Sequence, residues 1–178
     1  MVTNGEDLSR EINRDRLIFD LIASRHQREF ERTNILDKKA SQIIGFVGII
    51  FSLFVGFYAL IIKEMAGNEK IVVYYSSWRI LVILAIFTLA LSIICSVKTL
   101  YVKRFFDAPD TEILINDYAK AEKDIPTILR DVGTEISNAV VDNKNTNDYK
   151  AEFLKYSMAS FAFGMVLIML FIAGLLIV

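Results

Sequence analysis

Three uncharged, strongly apolar stretches, residues 40–62, 80–97 and 156–178, constrain this chain more than anything else in it. About 20 apolar helical residues cross a bilayer core, so the first and third are long enough alone. The second becomes so once Lys98 snorkels and residues 99–101 join it. The first stretch holds fourteen Leu, Ile, Phe and Val residues. On an insertion scale of about 0.3 to 0.6 kcal/mol per central residue, they contribute roughly 4 to 8 kcal/mol. That outweighs Ser41, Gln42 and the scattered Gly and Ser residues, none of which is charged. No Asp, Glu, Lys, Arg or His lies inside any of the three stretches. A proton relay, a coupled-ion site or a voltage sensor normally needs one, which argues against coupled transport.

The composition agrees: 54% of the 178 residues are hydrophobic, too many for a water-soluble globule of this size. Net charge is −1, which gives no global attraction to nucleic acid, and no nucleic-acid partner is expected. The one cysteine, Cys95, lies inside the second stretch, so neither an intrachain disulfide nor a cysteine-based metal site can form. Residues 6–16 are densely charged and cannot be a cleaved leader, which requires an apolar core after a basic start. The first span is therefore expected to act as its own insertion signal. His26 is the single histidine, and neither a metal ligand set nor a nucleophile triad can be assembled around it. Phosphate-binding loops, zinc spacings and the nucleophile elbow are absent, so nothing points to an enzyme or calls for a cofactor.

Basic residues outside the spans number eight before residue 40, three between the first two spans and nine between the last two. The positive-inside bias then puts the N-terminus and the long second loop in the cytoplasm, and the C-terminus outside, at a cell inner membrane. Tyr58, Tyr74, Tyr75 and Trp78 cluster near the outer boundary, where amphipathic rings sit at headgroup depth; Tyr101, Phe105 and Phe106 suit the same part inside. No Pro interrupts residues 6–44 and no Gly precedes Gly45 there, while Leu8, Ile12, Phe19, Ile22, Phe30, Ile35 and Leu36 recur at roughly helical spacing. One helix is expected to begin in the cytoplasm and run into the membrane. Its mixed-charge face suits packing against protein, and the second cytoplasmic segment is the expected partner. In that segment Asp107, Pro109 and Asp110 read as a turn and helix start, with a short helix to about Lys123. Asp124 and Pro126 restart a helix, along which Ile128, Leu129, Val132, Ile136 and Val140 form an apolar stripe. The Asn-rich stretch 143–147 reads as a polar break, either a short loop or a hydrated stretch of one long helix that ends in the third span, with a helix beginning near Asn147 favoured.

The predicted architecture is an all-α membrane protein: three transmembrane helices with cytoplasmic helical extensions, packed as a bundle. Its segments are a cytoplasmic helix over 1–39, the first span over 40–62 and a short external loop over 63–79. The second span over 80–101, a cytoplasmic helical region over 102–155 and the third span over 156–178 complete it.

Two local patterns stand out. Ser41, Gly45, Gly48, Ser52 and Gly56 recur every three to four residues along one face of the first span. Missing side chains there let another backbone approach, either a second copy of the chain or its own second and third spans. Ser160 and Gly164 make a weaker pair in the third span. The other pattern is Asp37, Lys38 and Lys39 at the inner boundary. Two lysines are ordinary anchors there, whereas Asp37 beside anionic lipid asks for a partner: Lys38, Arg32, Lys150 or Lys155, unless it is simply solvated. Ser41, Gln42, Thr88, Ser92 and Ser96 could line a path through an oligomer, too few to define selectivity.

At residues 34–49, where Asp37, Lys39, Ala40 and Ser41 lead into the first span, the chain resembles small membrane effectors of nucleotide-signalled prokaryotic defence, namely the Pycsar-type transmembrane effectors and the SLATT group. The approach to the last span, with Tyr149, Lys150, Ala151, Leu154 and Lys155, is similar in character. The resemblance implies an inner-membrane protein that assembles as a homo-oligomer in the lipid bilayer when triggered, and breaches it. No cyclic-nucleotide-binding domain is recognisable, so a nucleotide signal would arrive through a cytoplasmic partner or a pocket among the cytoplasmic helices. The competing expectations are a constitutive docking or structural membrane protein and a small oligomeric channel.

Overall fold

A computed structural model describes residues 3–65, 69–102, 105–106 and 124–175. The expected turn at 107–110, the short helix to Lys123 and the side chains of Tyr74 and Tyr75 lie outside the described residues. Three helices account for nearly all the rest: α1 (Thr3–Met65), α2 (Glu69–Tyr101) and α3 (Ile125–Leu175). Each contains a segment long and apolar enough to cross a membrane. No strand occurs among the described residues.

α1 runs without interruption through the boundary at residues 37–40, as the absence of Pro allows. α3 is equally continuous: of the two expectations for 143–147 the single long helix holds, but it starts at Ile125 and not near Asn147, and Asn143 and Asn147 are buried where hydration was expected. Asp124 caps it, its carbonyl accepting the Ile128 N–H at 3.2 Å, and Pro126 occupies the first turn, where its missing N–H is no loss. The Thr127 side chain hydrogen-bonds the Asp124 carboxyl and holds it below its ordinary value of 3.8.

The chain divides into two compact units. The first comprises residues 1–35 and 103–148. In its described part α1 and α3 lie side by side and parallel, because partners recur at a nearly constant sequence separation: 115 for Asp15 with Arg130, 114 for Thr33 with Asn147. Val132 and Ile136 are buried, and Phe19 and Ile22 of α1 reach Gly133 of α3, so the apolar stripes of the two segments do face each other. Phe105 packs edge-on against His26 and Phe30, both with ring centroids at 5.3 Å. It therefore belongs to this helix pair and not to the interfacial belt expected from sequence.

The second unit comprises residues 36–102 and 149–178. Here Asp37 meets Lys150 and Phe54 meets Phe171, so α1 and α3 are again parallel. α2 runs antiparallel to α3, with Thr99 beside Lys150, Ser92 beside Ser157 and Leu89 beside Gly164. The core contains Ala40, Val47, Phe54, Ala85, Leu89, Leu167 and Phe171.

Two of the glycines of α3, Gly133 and Gly164, have opposite surroundings. A Cβ on Gly133 would meet the Ile22 and Phe19 side chains at 3.8 and 4.0 Å, ordinary contact. One on Gly164 would meet Thr88 Oγ1 at 2.9 Å and Leu89 at 3.0 Å. Gly133→Ala is expected to stabilise by about 0.5 to 1 kcal/mol through helix propensity. Gly164→Ala is expected to destabilise by roughly 1 to 3 kcal/mol through overpacking. Thermal unfolding of both variants in one detergent checks the opposite signs.

Candidate functional site

The small-residue face of α1 is the first candidate. Ser41, Gly45, Gly48, Ser52 and Gly56 are all exposed, and a Cβ built on any of the three glycines meets nothing within 4 Å. Packing against the chain's own spans, one of the two sequence readings, is thus not their use in the single chain. Ala40, Ile43, Val47, Phe54 and Ile61 make those internal contacts from the opposite side of the helix. Ser52 turns its hydroxyl inward, donating to the Gly48 carbonyl at 2.9 Å, which removes its polar hydrogen from the lipid-facing surface.

The chain closes its own helices with a different set of small residues. Ser92 donates to the Ser157 carbonyl at 2.9 Å, and Ser157 donates to the Ser92 carbonyl at 2.8 Å. Ser96 lies 2.6 Å from the Ser157 hydroxyl. All three are fully buried. Such reciprocal bonds require the α2 and α3 backbones to approach closely, and Gly164 continues that approach toward the other end. Thr99 extends the hydroxyl row, donating to Cys95 O at 3.1 Å. Ser92 and Ser96, read from sequence as candidates to line a path, therefore face α3 in the single chain.

Where α1 enters its apolar stretch, Lys150 supplies the partner Asp37 asks for. Its Nζ donates to both carboxylate oxygens, at 2.8 and 3.1 Å, and the lysine is only 4% exposed while Asp37 stays at the edge of the unit. Solvation alone, an alternative left open by the sequence, is not what the carboxylate uses. Lys38 and Lys39 are exposed and form no ion pair among the described residues.

In the first unit, Asn143 and Asn147 do what sequence reasoning missed. Asn143 Oδ1 accepts the Phe106 N–H and its Nδ2 donates to the Phe106 carbonyl, both at 2.8 Å, so one amide satisfies a whole backbone peptide position. Asn147 Nδ2 donates to the Glu29 carbonyl at 2.9 Å and to its carboxylate at 2.8 Å, and Thr33 donates to Asn147 Oδ1 at 2.8 Å. His26 Nε2 sits 3.1 Å from the Phe106 carbonyl, a structural role. Farther along, the buried Asp15 takes Arg130 at 2.8 Å and Arg14 at 3.2 Å, and Arg130 also bonds Glu11. The Glu11 hydrogen bond, followed by the Asp15 charge, raises the Arg130 guanidinium above its already high ordinary value, so it remains a cation. The signal available in the sequence was spacing: Asn143, Asn147 and Lys150 share one α3 face, as Ser92, Ser96 and Thr99 share one α2 face. No group of His, Cys, Asp and Glu suited to a metal ion occurs among the described residues.

The arrangement is one of helix association: satisfied polar seams, bare spans and one open small-residue face. Comparison with known families matches residues 22–178 to the Pycsar effector protein domain. No curated protein and no solved structure matches the chain.

The Asp37–Lys150 pair yields an asymmetric expectation. Asp37→Asn leaves the buried ammonium without a counter-charge and is expected to cost about 3 kcal/mol. Lys150→Met leaves a carboxylate that water can reach and is expected to cost about 1 kcal/mol. The double variant is expected to recover most of the larger loss. Equilibrium unfolding of the three variants measures this, and equal costs for the two single changes would contradict it.

Proposed function

This chain belongs to the Pycsar effector protein domain family, which makes it a transmembrane effector of anti-phage defence in the inner membrane, and we propose that it acts by assembling with copies of itself through the exposed face of α1 until the bilayer is breached. The observation that carries this reading is the open row of Ser41, Gly45, Gly48, Ser52 and Gly56. In lipid, helices gain nothing from hydrophobic exclusion and associate through close packing, for which small residues are the usual means. A row left unused by the chain's own spans is thus available to a second copy.

The distribution of basic residues supports a cytoplasmic N-terminus, a cytoplasmic α2–α3 connection and an external C-terminus. On that orientation the first unit faces the cytoplasm, where a nucleotide signal or a partner carrying it would act. A second reading, a docking platform for a cytoplasmic protein, draws on Leu17, Ile18 and Leu21, which are exposed on α1 well before the first span. It predicts a stably co-purifying protein and unchanged membrane conductance.

Gly48→Leu with Gly56→Leu separates the readings, because both positions have room for the side chain without disturbing the fold. Self-association is expected to fall, seen as a lower mass of the intact complex in lipid, and depolarisation on induced expression is expected to be lost. An unchanged complex mass would count against the seam. Retained mass with no depolarisation in the unaltered protein under any nucleotide trigger would favour the platform.

A further inference from the structure

Within the second unit, α1 and α2 leave an open groove of about 250 Å³ between them. Its floor is Phe54 and Val82, each 6% exposed, and its walls are aliphatic and aromatic. Since α1 and α2 are antiparallel, Tyr58 and Arg79 share one end of the groove and Phe51 and Ile86 the other. Phe51 to Tyr58 is two turns of helix, about 10 Å of length. All of its lining except Arg79 and the Tyr58 hydroxyl is apolar.

Arg79 is the feature that a mere packing defect does not explain. It stands at the start of the second apolar stretch, its side chain is exposed, and it forms no hydrogen bond or ion pair with any described residue. Trp78 precedes it, 43% exposed, as an amphipathic ring at headgroup depth would be. A guanidinium at that depth is best matched by phosphate, which it can grip with two parallel N–H donors.

We propose that this groove binds one membrane phospholipid, with its phosphate on Arg79 and the first part of one acyl chain along the Phe54 and Val82 floor. The narrow, apolar shape suits a length of acyl chain. The ligand's two ends match the groove's two ends: anion at the wet end, hydrocarbon at the dry one. Access is direct, because the groove opens on the lipid-facing surface of the helices. This site does not depend on which way the chain crosses the membrane.

The test is native mass spectrometry of the full-length chain released from nanodiscs containing phosphatidylglycerol, phosphatidylethanolamine and diacylglycerol, the last carrying acyl chains without phosphate. The unaltered chain is expected to retain about one phospholipid per protomer and no diacylglycerol. Arg79→Gln is expected to lower retention at least fivefold, with Arg79→Lys intermediate, and Val55→Trp, which fills the groove, is expected to lower it as well. Circular dichroism and thermal unfolding identify any variant that fails to fold, and Arg79→Lys keeps the charge if Arg79→Gln does. Equal retention by Arg79→Gln, or diacylglycerol held as well as phospholipid, would overturn the proposal. So would loss on Val55→Trp alone, which would reduce the groove to unspecific filling by any chain.

Discussion

Inside a bilayer the hydrophobic effect does not pull helices together, because lipid tails are as apolar as leucine. Everything in the second unit follows from that constraint. Association has to come from dispersion at short range and from hydrogen bonds that lipid cannot offer. The reciprocal Ser92–Ser157 bonds supply both at once: each hydroxyl reaches the other helix's carbonyl only if the two backbones lie close. Hydrogen bonds of this kind contribute about 0.6 to 2 kcal/mol each in membranes. Their effect is as much positional as energetic, since they fix the register that brings Gly164 against Leu89 and Thr99 beside Lys150.

Once α2 and α3 are closed by their own small residues, those of α1 are left over. The inward face of α1 is large and apolar, filled by Val47 and Phe54, while the outward face carries Gly45, Gly48 and Gly56 with no neighbour. A helix that met only lipid would gain from Leu, Ile or Phe at these positions. The chain accepts the lower insertion energy of glycine there, which is intelligible if a second backbone approaches that side. The chain's polar seams, at Asp37 with Lys150 and at Asn147 with Glu29 and Thr33, are fully satisfied within each unit and need no partner to be stable.

The spans, their number and the continuity of α1 into the membrane were legible in the sequence, because length, absence of charge and absence of Pro are local properties. The small-residue face was legible as a row, though not that the chain's own spans leave it uncovered. That depended on whether other residues had already closed the bundle, a question about three helices together. The Asn143–Asn147 stretch misled for a clear reason. Asparagine is a poor helix former when solvated, yet both side chains are buried and bonded to α1 and to Phe106, so tertiary partners override propensity. The partner of Asp37 lies 113 residues away, beyond what spacing alone can select among four cations. Ser92 and Ser96 were legible only as candidates to line a path, and Ser157 drew no reading, because spacing within one helix does not say which helix it faces.

The central claim is that the exposed small-residue face of α1 meets the same face of another copy. Disulfide trapping in native membranes tests it most directly, since Cys95 is buried and gives little background. Single substitutions Gly45→Cys, Gly48→Cys and Ser52→Cys, compared with Phe46→Cys and Leu53→Cys on other sides of the helix, are oxidised before and after triggering. The account predicts crosslinked dimers at the first three positions and few at the other two. Crosslinking with no preference for that face, or none at any position, would contradict it.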